Sequence, residues 1–451
     1  ATPAGGSGSG RRWPCARHAG SSIRRGATRW RRAGPVGGRT RSRANAVAAS
    51  PPAGDHRGVL EILPLGAVDP EAVIRQDERA FGFRYDRVSR PVARADVADM
   101  RGWAAVDRGE VVAFVGARPC EVTLPGGCPV AAAGVTWVSV AATHRRRGIA
   151  SQLMGRMHAE ALERGEPLAV LIASEGGIYG RFGYGVATWR RVVRLDRRAA
   201  GLATPFEDPG RARYVEGAAA LDACRAAYER YRVAQPGAVS RREPWWQRAV
   251  AMKTPQWVVH EDGDGVVDGF TVYSNELHWD YGHPASRVSV DDLVTATPEA
   301  REALWRVLLG LDLVGTVETT WLSPDDPLEW QLADRRALRT VEVLDGMWAC
   351  PLDVAVALGA RRYLAGGTLV LEVEGARFRL DAGEGGAEAC PTGSEADLVL
   401  GRGALGSILF GGVRPTVLVA ARRVVERVAG AATVADRMFL GERMPHCNTA
   451  F

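Results

Sequence analysis

The sequence predicts a mixed α/β (α+β) protein, with two successive α/β domains, a smaller third segment and an irregular tail in front. Three observations carry this. From Leu60 onward, short apolar runs of strand type alternate with amphipathic helical stretches. The order of elements in 58–200 returns in 212–350. One stretch, Val135–Met154, reads as a buried strand, a basic glycine-containing turn and the start of a helix.

The chain has 451 residues, 46 % hydrophobic and 24 % charged, an ordinary composition for a chain of two to four globular domains. No apolar run approaches the ~20 residues that cross a bilayer. Seven cysteines, at 15, 120, 128, 224, 350, 390 and 447, form no CxxC pair. Reduced thiols in a cytosol are therefore expected, without a disulfide framework and without zinc. The net charge of +6 is local in origin. Residues 1–57 hold 12 Arg and one Asp, so this segment carries +11 and residues 58–451 carry −5. A mildly acidic body suits cationic substrates and gives no reason to expect nucleic acid. Lys253 stands alone against 57 arginines, a bias that we ascribe to a GC-rich genome.

Residues 1–57 are rich in Gly, Ala, Ser, Pro and Arg without apolar periodicity, so we expect disorder. Residue 1 is Ala, and no apolar core follows the Arg pairs, which disfavours a secretory or twin-arginine signal. An upstream start or an added segment is the plain reading. A nucleic-acid-binding or targeting arm is the sharper one.

Residues 58–205 form the first predicted domain. Leu60–Pro64 is a strand, and Asp69–Phe81 a helix opened by Asp69-Pro70-Glu71. Glu110–Val115 and Cys120–Leu124 are strands joined by a short loop, followed by a turn at Pro125–Gly127 and a strand over Val130–Ala142. A helix over Gly148–Glu163 has Ile149, Leu153, Met154 and Met157 along one face. Pro167–Ala173 and Thr188–Asp196 are further strands, separated by the aromatic, glycine-rich Ile178–Gly185. The second domain, 206–350, has a strand at Ala212–Val215 and a helix at Ala218–Arg232. Strand runs follow near Trp257–His260, Val266–Ser274 and Leu277–Tyr281, and then a helix at Pro298–Leu311. It repeats the first domain without the basic glycine turn, which makes it a degenerate copy that is structural or shapes a pocket. The third, 351–451, has a helix at Asp353–Ala360 and a hairpin of Thr368–Glu374 with Ala376–Asp381. A strand at Ala396–Leu400 and helical runs at Gly403–Phe410, Thr416–Val428 and Thr433–Leu440 complete it.

The basic turn is the clearest chemical feature. In Arg145-x-x-Gly148-x-Ala150, small residues let helix-start N–H groups approach an anion. Three arginines add charge there. The pattern predicts a pyrophosphate cradle.

Arg145-x-x-Gly148-x-Ala150 after a strand resembles the acetyl-CoA signature of the GNAT acetyltransferases. Together with Thr143–Gly148, Ala173–Gly185 and the terminal Thr449-Ala450-Phe451, it resembles the Eis (enhanced intracellular survival) family over about 58–451. That resemblance implies two GNAT-like domains followed by a sterol-carrier-protein-like domain. It implies an acetyl-CoA-dependent N-acetyltransferase that modifies aminoglycosides, often at several amines, as a cytoplasmic homohexamer (a trimer of dimers), with no metal, membrane or nucleic-acid partner. The family's CoA contacts fall on Val138, Ser139 and Val140, on Arg146, Arg147, Gly148, Ile149, Ala150 and Ser151, and on Ser174 and Glu175. Tyr179 takes the family role of general acid. A phenol with pKa ~10 is protonated at neutral pH and can protonate a leaving thiolate of pKa ~8.5. The Phe451 carboxylate takes the role of general base, acting through water or with a raised pKa. Tyr184 and the Trp245-Trp246 pair are assigned to packing, and Cys447 is expected to be a buried thiol.

Some family members carry an acidic residue where this chain has Ala450, and Asp77 or Glu78 are candidate replacements for that contact. Within enzymes, a protein lysine or polyamine is the alternative acceptor. A non-enzymatic protein carrying an apolar ligand in its third domain is the alternative of another class.

Overall fold

The computed structural model describes residues 60–450, leaving out 217–218, 252–254 and 384, together with the side chains of 219–220 and 248–251. The expectations for residues 1–57 and for Phe451 fall outside the described residues.

The first sheet runs Glu61–Pro64, Arg101–Asp107, Glu110–Leu124, Cys128–Val140, Leu168–Ile172, Met347–Pro351 and Gly185–Val186 in spatial order. The second runs Leu338–Asp345, Trp189–Asp196, Val314–Leu322, Ser286–Thr295, Val267–Glu276, Gln256–Glu261 and Arg211–Val215. The two exchange strands. Trp189–Asp196, assigned from the sequence to the first domain, lies between two strands of the second sheet. Met347–Pro351, at the end of the second segment, pairs with Leu168–Ile172 in the first. A five-stranded sheet carries the third segment.

Other expectations change locally. Glu110–Leu124 is one continuous strand rather than two. Pro119 is tolerated because the neighbour on one side ends its pairing at Ala117, so at Pro119 the strand has a single partner. The helix Ser89–Asp99 and the strand Arg101–Asp107 were not expected from the sequence. Thr416–Val428 is not one helical run but a helix, Pro415–Ala420, followed by a strand, Val424–Glu426.

The helix Ile149–Glu163 buries Ile149, Leu153, Met154 and Met157 against one face of the first sheet. Each such side chain contributes about 1.5–3 kcal/mol. The other face shares a core with the third segment, where Leu168, Val170 and Ala349 meet Leu358, Leu405 and Phe410. The helix Arg402–Leu409 lies directly on Gly185, where any Cβ would collide with the Gly403 carbonyl. The third segment thereby braces the back of the loop that carries Tyr179. Among the described residues, no helix is long and apolar enough to cross a membrane.

Candidate active site

The site begins where two parallel strands part. Cys128–Val140 and Leu168–Ile172 pair only over Ala132–Gly134 and Leu168–Val170. Past that point Cys128–Val140 stays with Glu110–Leu124, and Leu168–Ile172 stays with Met347–Pro351. A wedge opens between them. A bulge at its mouth sets the lining. Two residues, Trp137 and Val138, oppose the single Val115. Trp137 has φ 52°, a left-handed conformation uncommon for a bulky residue. Stacking on Tyr85, with ring centroids 6.1 Å apart, holds it there. The bulge re-aims Val138, Ser139 and Val140, and all three line the cleft.

The cleft has a volume of about 430 Å³. Its far side is the basic turn. Arg146 (φ 63°) and Gly148 (φ 76°) are both left-handed, which folds the chain sharply into the helix at Ile149. That helix start has no side-chain cap and no acidic residue in its first turn. The preceding turn is pinned by His144, whose Nε2 lies 3.0 Å from Asp107 Oδ2 and whose Nδ1 lies 2.8 Å from Thr143 Oγ1. The hydrogen bond with His144 in turn holds the Asp107 carboxyl below its usual range.

Tyr179 opens the short helix Tyr179–Phe182 and lines the same cleft with Ser174 and Glu175. It is 6 % exposed. Burial pushes its hydroxyl above the usual tyrosine range, and a hydrogen bond from Ser174 opposes that shift. Tyr184 packs edge-on against it with centroids 6.2 Å apart and turns its own hydroxyl to His158 Nε2 at 2.9 Å.

Of the anticipated donor contacts, Val138, Ser139, Val140, Arg146, Gly148, Ile149, Ala150, Ser151, Ser174 and Glu175 line this one cleft with Tyr179. Arg147 is exposed and is not among the lining residues. Sequence reasoning missed Ala80 and Phe81, which reach the cleft from the end of the helix Pro70–Phe81. An exposed aromatic at the end of an amphipathic helix was the available signal. Arg145 and Arg181, both inside the quoted motifs, also line it.

The donor set suits a nucleotide thioester. Ser139 Oγ is buried without a hydrogen-bond partner, and the splayed strand offers backbone groups that no strand answers. Arg145 and Arg146 stand at the uncapped helix start.

The C-terminal segment approaches from the second and third segments. Pro445–Thr449 is buried, and the Ala450 carbonyl accepts a hydrogen bond from Trp245 Nε1 at 3.0 Å. Thr449 and Trp245 line a small pocket with Asp96, Asp99 and Arg118 of the first domain. Trp245 is thus a wall of that pocket, while Trp246 is 2 % exposed in the core. Cys447 is a buried thiol that donates a hydrogen bond to the Thr449 carbonyl at 3.4 Å. Glu78 is committed to Arg90 and Arg84. Asp77 holds the Tyr85 hydroxyl at 2.8 Å, and burial raises its carboxyl to about 6.

Known families account for most of the described chain. Residues 61–187 and 237–349 each match an acetyltransferase (GNAT) domain, and 354–448 match a sterol carrier protein domain. An uncharacterized N-acetyltransferase of Streptomyces griseus is 39 % identical over 379 residues, covering 80 % of this chain and 91 % of the relative. The N-acetyltransferase Eis of Mycobacterium tuberculosis is 36 % identical over 331 residues, covering 70 % and 79 %. Among solved structures, Eis1 from Mycobacterium abscessus superposes with a TM-score of 0.74 at 32 % identity, covering 84 % of this chain and 97 % of that one.

Proposed function

This chain belongs to the Eis family of GNAT N-acetyltransferases, and we propose that it acetylates amines of a cationic small molecule, most specifically an aminoglycoside. That the protein is an acyltransferase follows from its GNAT domains and named relatives. The observation that supports the fuller reading is the wedge, in which parted strands, an uncapped basic helix start and a buried tyrosine line one cleft.

In this reading Val138–Val140, Arg146 and Gly148–Ser151 hold the donor, with Ser174 and Glu175 at its other end. Acetyl-CoA supplies the acetyl group as a thioester, and transfer forms an N–C bond as the C–S bond breaks. Tyr179 Oη gives its proton to the departing sulfur. Burial keeps that hydroxyl protonated at neutral pH, as an acid requires. A backbone N–H of Val138–Val140 polarises the acetyl carbonyl. The carboxylate of Phe451 takes the amine proton, directly or through water. Transfer is direct and needs no cysteine nucleophile: among the described residues no cysteine lines the cleft, and burial pushes the Cys120 and Cys350 thiols up to about 12, away from a reactive thiolate. The same reading makes the enzyme a cytoplasmic homohexamer, which sedimentation and fractionation test.

The experiment is acetyl-CoA turnover, followed by thiol release, with an aminoglycoside, a polyamine and a lysine peptide, for wild type and Tyr179→Ala. Turnover with the aminoglycoside that collapses in the variant is expected. Turnover with the peptide or polyamine alone would replace the acceptor. No turnover with any amine would remove the reading.

A further inference from the structure

The second sheet contains the same wedge as the first. Ser286–Thr295 and Val314–Leu322 run parallel and pair from Ser286 and Val314 to Val290 and Thr319, then part. As in the first domain, a bulge sits where they separate, here at Asp291. This wedge lacks a basic turn. The following helix opens on Thr297-Pro298, and the acidic side chains of Asp325 and Asp326 stand nearby. The C-terminal tail enters it: His446 and Asn448 line the gap beside Val290, Leu293, Thr319 and Trp321.

One buried side chain grips the tail there. The Arg241 side chain is wholly excluded from solvent and lies 2.6 Å from Asp292 Oδ2, on the parted strand. Its Nε donates to Thr449 Oγ1 at 3.0 Å and its Nη2 to the Asn448 carbonyl at 3.2 Å. Asp292 Oδ1 accepts from Asn448 Nδ2 at 3.0 Å. The guanidinium is sandwiched by Tyr228 and Trp245, each ring centroid 3.9 Å away. Those rings continue the grip, since Tyr228 pairs its hydroxyl with Thr449 Oγ1 at 2.9 Å and Trp245 donates to the Ala450 carbonyl. Asn448, Thr449 and Ala450 are thus each fixed by this cluster. Removing either partner of a buried pair strands the other charge at a large cost, so Arg241 and Asp292 hold each other in place.

We propose that Arg241 is a positioning residue for catalysis: held by Asp292, it fixes the tail in the second domain's wedge and so sets where the chain delivers its terminal carboxylate. This rests on the reading that Phe451 supplies the base. The degenerate domain then has a defined task. Its donor wedge has become the seat of the tail.

The test is a double-mutant cycle in the full-length chain. Its arms are Arg241→Lys, the apolar replacement Arg241→Met with Asp292→Leu, and one alanine appended after Phe451, alone and combined with each. The apolar pair avoids leaving Asp292 buried and unpaired. Thermal unfolding and acetyl-CoA binding confirm a folded, donor-competent enzyme. Both Arg241 variants should lower kcat, the pair on the order of 10–100-fold and Lys less, with the KM for acetyl-CoA nearly unchanged. In the appended background the same substitutions should cost nothing further. Wild-type kcat in a folded apolar variant overturns the proposal, as does an equal loss in the appended background, which marks a structural role. Full activity with the appended alanine removes the terminal base itself, and the positioning role with it.

Discussion

Replacing Tyr179 with Phe removes one oxygen from the site and little else. The ring is 6 % exposed and packs against Tyr184 and its neighbours, all of which Phe keeps. The structural loss is the hydrogen bond from Ser174, worth about 1 kcal/mol. The chemical loss is the general acid, which contributes roughly 10²–10⁴-fold. The leaving thiolate, with pKa ~8.5, needs less help than an alkoxide, so the lower end applies. We expect kcat and kcat/KM to fall together by about 10²-fold, ~2.7 kcal/mol at 1.36 kcal/mol per decade. The pH profile gives an independent reading. Burial raises the Tyr179 hydroxyl above 10, so the wild type should lose activity through this group only above that pH, and the variant should lack that limb. The assay is thiol release at saturating amine across neutral to alkaline pH, with thermal unfolding alongside. Tyr184→Phe is the control, because its hydroxyl faces His158, and it should keep near wild-type turnover. A folded Tyr179→Phe enzyme within about threefold of wild type would refute the role.

Arg145→Ala and Arg146→Ala should each raise the KM for acetyl-CoA about 3–10-fold, an effect that weakens in high salt because both arginines are exposed. Arg147→Ala, outside the cleft lining, should change it least, and steady-state kinetics at two ionic strengths decides. A Cβ at Gly148 would meet no neighbour within 4 Å but must hold φ 76°, so Gly148→Ala should cost about 1–2 kcal/mol of backbone strain and weaken donor binding, read by calorimetry. Stability should fall with acid through His446 and His158, both pushed down to about 4 by burial. The unfolded chain takes up these protons first, near pH 6.5, so stabilisation complete above that pH is lost as pH falls toward 4. Urea unfolding at pH 7 and pH 5 should differ by about 2 kcal/mol per histidine, and His446→Gln should remove its share.

The cradle was legible because its signal is local. A strand, a glycine needing a left-handed backbone and an apolar stripe at Ile149, Leu153 and Met157 all lie within one stretch. The wedge was not legible, since it depends on where pairing stops, at Gly134 and Val170, which no periodicity marks. Trp137 gave no warning either, because a tryptophan reads as ordinary strand while its left-handed backbone is imposed by stacking on Tyr85 and packing on Phe114. The strand exchange was hidden for a different reason. Trp189–Asp196 and Met347–Pro351 have strand character that fits either sheet, and long-range pairing alone decides between them. Arg241 looked like one arginine among many, and its importance comes from partners more than 200 residues along the chain.

The exchanged strands set the timetable of synthesis. When Leu168–Ile172 has left the ribosome, the partner that will cover its edge, Met347–Pro351, is still roughly 170 residues from being made. At ordinary elongation rates that edge waits on the order of 10–30 s, exposed beside a half-built core. The first domain therefore cannot finish folding before the second has been translated. A gene fragment ending near residue 200 would yield a sheet with an open, aggregation-prone border rather than a smaller enzyme. The two GNAT units are spliced together by these strands, so neither sheet is complete until both have been made.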